Sequence, residues 1–175
     1  MSEISIFHSD YIQFGEYWFF PSTIYPNKKI HVKDILEVDL TQSPPTLRIK
    51  KELIFISAEF LDTLKTFVDN NNIKVMERVD IWDIILMPFL DTEFNKNLDK
   101  KLLAKLKEYG LNATTVQEWR NRVKETMISY NAIFWDWVHL GQYDLYMAYI
   151  GELNKEVFYK FYWETMEVAL LAYKD

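Results

Sequence analysis

A chain of 175 residues, 49% apolar and 17% aromatic, has ample material for a core, and four Gly with five Pro leave little room for long flexible linkers. Its net charge of −6 speaks against nucleic acid and anionic membrane surfaces as partners, because Lys and Arg facing phosphate dominate that affinity. Without cysteine, disulfides, thiolate nucleophiles and cysteine-ligated metals are excluded.

The start, Met1-Ser2-Glu3-Ile4, carries no basic n-region followed by a long apolar stretch, and no apolar run reaches the length of a membrane span. A cytoplasmic location is expected. Apolar residues come in short β-branched and aromatic runs up to Ile56 and then recur every three or four residues. That change of period predicts an α+β fold: a small N-terminal antiparallel sheet followed by a helical bundle of about five helices. The expected parts are 1–72, strand-rich and ending in one helix, and 73–175, helical, joined as one compact unit.

Strands are expected over 4–7, 11–20, 30–32, 35–40, 47–50 and 53–56. Gly15 suits a bulge or turn within the second run, Pro26-Asn27-Lys28 is a turn signal, and Ser43-Pro44-Pro45 breaks the chain. Ile35, Glu37 and Asp39 alternate with Leu36, Val38 and Leu40, as in a half-buried strand. Tyr17, Trp18 and Phe19 alternate along one strand, so some must pack against the bundle or a second copy; a homodimer is one outcome.

Ser57 reads as a helix N-cap, opening a helix with Phe60, Leu61, Leu64, Phe67 and Val68 on one stripe and stopping at Asn70-Asn71-Asn72. The succession of short strands closed by one amphipathic helix, over Phe14–Val68, loosely resembles bacterial pleckstrin-homology or GRAM-type domains, with too few strands for a full barrel and no diagnostic motif. Residues 73–79 read as a short strand or a helix start.

Asp80 caps a helix over 81–87 that Pro88 ends. Residues 97–109 form an amphipathic helix with Leu98, Leu102, Leu103 and Leu106 inward and Gly110 at the position after its end. Thr114-Thr115-Val116-Gln117 reads as a capping box for a long helix running to about Leu140. Its seam holds Val116, Trp119, Val123, Met127, Tyr130, Phe134 and Trp137. A short helix over 142–150 and a last one over 156–173, capped by Asn154, complete the chain.

Three constellations could carry chemistry. Asp136, His139 and Asp144, with Tyr143, could hold a divalent metal, or Asp136 could orient His139 as a general base. Asp136 and His139 also extend the stripe Arg122, Glu125, Ser129 and Ala132, which reads as a solvated face. The acidic segment Glu77, Asp80, Asp83, Asp91 and Glu93, with Trp82 beside it, suits a basic protein partner, since charges steer encounter and aromatics anchor interfaces. Glu156, Lys160, Glu164 and Glu167 lack the Glu-x-x-His pairs of a bundle di-metal site.

His8 and His31 read as surface residues. Lys28, Lys29, Lys33, Arg48, Lys50 and Lys51 make the N-terminal part locally basic, as a small anion site or as solvated strand faces. There is no Gly-rich phosphate loop, Gly-x-Ser-x-Gly or His-Glu-x-x-His. The reading that follows is a non-enzymatic interaction module of the cytosol, an immunity- or antitoxin-type inhibitor of a basic protein partner, with no metal or cofactor. The alternative is a small-ligand-binding protein or metal-assisted hydrolase, with a pocket between sheet and bundle walled by Trp18, Trp82, Trp135 or Trp163.

Overall fold

The computed structural model describes residues 5–90, 95–134 and 139–173. The chain divides into two compact units, Met1–Arg78 with Tyr159–Leu170 and Val79–Phe158 with Leu171–Asp175. The boundary therefore falls six residues beyond 72, and most of the last helix belongs to the first unit. The α+β class stands, with two three-stranded antiparallel sheets in place of one small sheet.

In the first unit, β1 (Ser5–Phe7), β2 (Tyr11–Phe14) and β3 (Lys29–His31) form one sheet in that order, with Ile12 opposite Ile30. In β2 Ile12 and Phe14 are buried while Tyr11 and Gln13 are partly exposed, so the period of two holds there. The long strand expected over 11–20 ends at Phe14. Beyond it, Tyr17 and Phe19 still turn inward, at 3% and 2% exposure, while Trp18 stays exposed. The Tyr17 hydroxyl oxygen accepts from the Phe55 N–H at 3.1 Å, and Phe19 meets Phe55 edge-on and Tyr162 tilted.

The second sheet comprises β4 (Ile35–Asp39), β5 (Thr46–Ile49) and β6 (Glu52–Phe55), with Val38 opposite Leu47 and Leu47 opposite Ile54. The alternation expected in β4 is broken by an irregularity between Ile35 and Glu37. Leu36 is exposed, while Glu37 and Asp39 are buried, because cations and N–H groups meet them inside. Arg78 grips Glu37 with Nε at 2.8 Å and Nη2 at 3.1 Å, and Lys74 adds a third contact at 3.3 Å. Burial alone would raise the Glu37 pKa, but Arg78 and Lys74 outweigh it and hold the carboxyl below its usual range. Asp39 accepts from the N–H of Thr41 and of Arg78.

Residues 73–79 form neither of the two expected elements. They carry one parallel bridge, from Val75 to Val38. Ser57 precedes a 3-10 turn, Ala58–Phe60, and bonds Glu59 rather than capping the helix. Helix α1 (Leu61–Asn70) then buries Leu64, Phe67 and Val68, and Phe7 meets Phe67 edge-on at 5.6 Å.

The second unit is helical: α2 (Ile81–Leu86), α3 (Lys96–Glu108), α4 (Ala113–Phe134), α5 (Gln142–Tyr149) and the first turn of α6 (Lys155–Ala169). Val116, Val123 and Met127 on α4 are fully buried, as the seam requires. Helix α3 ends in a Schellman motif. Gly110, at φ +88°, donates to the Lys107 carbonyl, Leu111 donates to that of Leu106, and both leucines are buried. The cap of α4 is Asn112, whose side-chain oxygen accepts from the Thr115 N–H at 2.9 Å, so the threonine capping box is not used. Asn154 caps α6 by accepting from the Val157 N–H.

Candidate functional site

Among the described residues, two places that gather chemistry-bearing side chains stand out. The first lies in the second unit, where α2 and α5 begin. Asp80 caps both: one carboxylate oxygen accepts from the Trp82 N–H at 2.8 Å, the other from the Gln142 N–H at 2.9 Å. Asp144, three residues into α5, reaches back to accept from the Gly141 N–H at 2.8 Å. His139 enters through Nδ1, 3.2 Å from an Asp83 oxygen. Gly141 is required for space. A Cβ there would collide with the Asp80 carboxylate and lie 2.8 Å from His139 Nε2.

These contacts set the protonation states. The Asp83 hydrogen bond raises the His139 pKa from 6.5 to about 8; burial opposes it, and the charges of Asp83, Asp80 and Asp144 add to it. Burial pushes the Asp80 carboxyl up, against the two N–H groups and His139 that favour its anion. His139 is thus an imidazolium at neutral pH, with no lone pair to accept a proton, which disfavours a general-base role. The carboxylates spend their oxygens on helix N-termini. Among the described residues, no three His, Asp or Glu side chains form a set able to hold a metal ion.

The expected constellation is therefore rearranged. Asp136, Trp135 and Trp137, like Asp91 and Glu93, lie outside the described residues. His139 does not continue the solvated face of α4, where Arg122, Glu125, Ser129 and Ala132 are exposed; it lies past that helix, beside Asp83. Glu77 is exposed. Trp82, expected at a partner surface, is 0% exposed and stands edge-on to Trp119 at 5.2 Å, because the first turn of α2 faces the core. Trp82 is part of the core, and Asp80 serves as a helix cap.

The second place is a cleft of about 760 Å³ in the first unit. Two pairs of lysines stand at it, Lys28 with Lys29 at the start of β3, and Lys50 with Lys51 in the β5–β6 turn. Its apolar lining comes from Ile24, Ile30 and Ile49, and Trp163 of α6 supplies an aromatic wall. Glu52 lies among them, 2% exposed. It accepts from the N–H and hydroxyl of Thr23 and, at 2.8 Å, from the Tyr162 hydroxyl. Those three donors are what allows a carboxylate to be buried there.

The lysine ammoniums stay near the surface. Lys28 donates to the Thr23 carbonyl at 2.9 Å, and the Lys29 nitrogen sits 4.4 Å from the centre of the Tyr11 ring. Both partners are uncharged, so neither cancels the positive charge. Lysine pairs at 28–29 and 50–51 were legible in the sequence. Their convergence was not, since it depends on β3 and the β5–β6 turn meeting α6.

No protein-family model matches the chain, and no curated protein or solved structure matches it.

Proposed function

We propose that the protein works by binding a small ligand in the lysine-rimmed cleft of its first unit. The observation that carries this reading is the cleft itself. Its volume lies within the roughly 300–1,000 Å³ of small-molecule sites, and it combines an apolar lining with a few polar groups. The histidine–carboxylate cluster supports the same reading from the other side, because its groups are engaged in capping and ion pairing.

The reading as an acidic interaction module, an immunity-type inhibitor of a basic partner, retains the support of the −6 charge and of exposed Glu77. It loses Trp82, which is buried, and the support of Asp80, whose carboxylate oxygens are taken by the Trp82 and Gln142 N–H groups.

A thermal-shift screen of small aromatic and aliphatic compounds tests the proposal, with every hit repeated on Trp163→Ala after circular dichroism has shown that variant folded. Hits that weaken on Trp163→Ala support the cleft. Hits that keep full strength on it, or a screen without hits, overturn the reading.

A further inference from the structure

Resting on the ligand-binding reading, we infer that the cleft takes an organic anion: a flat apolar body carrying a carboxylate or phosphate group, with the body against Trp163 and the anionic group between the two lysine pairs.

Charge is the first argument. Most other cations of this unit lie against a carboxylate. Arg48, Lys74 and Arg78 converge on Glu37, Lys65 pairs with Asp62, and Lys160 pairs with Glu164. Among the described residues, none of the four cleft lysines pairs with a carboxylate. Two carboxylates do line the cleft, Asp34 and Glu52. Glu52 is turned into hydrogen bonds with Thr23 and Tyr162, so four ammonium groups face two carboxylates and the surplus is positive. In a chain whose net charge is −6, a local positive surplus at a concavity concentrates anions.

Backbone geometry is the second. Lys50 sits at φ +39° in a two-residue turn, between Ile49 and Glu52, which face each other across the hairpin. Gly or Asn takes that conformation with less strain, and such turns favour them. A lysine there costs stability relative to glycine, and its side chain stands at the mouth of the cleft. An observed strain of this kind at a concave site argues for a role of the side chain.

Shape is the third. An inorganic ion needs far less space than 760 Å³, and it gains nothing from Ile24, Ile30 and an indole face. A flat hydrocarbon body gains from both, through area removed from water and through ring stacking.

Calorimetric titration of the full chain with 2-naphthyl phosphate, 2-naphthoate and neutral 2-naphthol tests the inference. Both anions should bind at least about ten-fold tighter than the naphthol, and that advantage should shrink as salt is raised. The double variant Lys50→Gln with Lys51→Gln, in an exposed turn, should lose the advantage while retaining the naphthol affinity. A stronger phosphate than carboxylate signal assigns the group to phosphate esters, and the reverse assigns it to carboxylates. If naphthol binds as well as its anions, or the double variant binds them undiminished, the anion inference is overturned while the cleft remains a ligand site. If none of the three binds, the anion inference is overturned; if the thermal-shift screen is also empty, the ligand-binding reading fails with it.

Discussion

His139 Nδ1 stands 3.2 Å from the Asp83 carboxylate, and Asp80, three residues earlier, caps both α2 and α5 beside it. The imidazolium therefore belongs to the knot that joins two helix starts. The His139 pKa should be measured by NMR as about 8, and Asp83→Asn should bring it back towards 6.5. A native value near 6.5 would contradict the pairing.

The same shift has a sign for stability. Its folded value lies above the unfolded one, so the contribution is complete below about pH 6.5 and is lost as pH rises through about 8. With both side chains about a third exposed, screening reduces it to roughly 1 kcal/mol. Urea midpoints measured between neutral and mildly alkaline pH should fall in the native chain and fall less in His139→Gln.

Gly141→Ala should cost about 1–3 kcal/mol, since the added methyl overpacks a site already filled by Asp80 and His139. The expected result is a lower urea midpoint with an unchanged slope. An unchanged midpoint would show that the carboxylate moves aside without loss.

Glu37 behaves in the opposite sense to His139. Its pKa is depressed in the fold by Arg78 and Lys74, so its contribution is present above the ordinary carboxylate value of 4.5 and disappears as pH falls through the folded one. Arg78→Met keeps much of the apolar stem but leaves a buried carboxylate with weaker partners, at a cost of about 2–4 kcal/mol. Acid unfolding should also become less steep in that variant.

Lys50→Gly should stabilise the first unit by roughly 1 kcal/mol, because the positive φ then suits the residue. It should weaken 2-naphthyl phosphate binding at the same time. Undiminished binding would separate Lys50 from the ligand, and a loss of stability would contradict the strain at this turn.

Much of the helical part was legible. Asp80, Gly110 and Asn154 act where capping chemistry places them, and the Val116–Val123–Met127 seam is buried. What misled was polarity in β4. Glu37 and Asp39 alternate with apolar residues as if facing water, yet Arg78, distant in sequence, turns that face inward. Asn112 displaced the threonine capping box because either residue can accept the same first-turn N–H groups, and only the backbone path decides. The cleft escaped for a related reason. Its two lysine pairs are 22 residues apart, and Trp163 comes from the last helix, so no local pattern joins them.

The most direct test of the central claim is amide chemical-shift mapping of the full chain during titration with 2-naphthyl phosphate. The account predicts saturable shifts concentrated at residues 23–30 and 49–52 and at Trp163, with the region around His139 and Gly141 unmoved. Shifts concentrated around His139 and Gly141, or no saturable shifts, would contradict it.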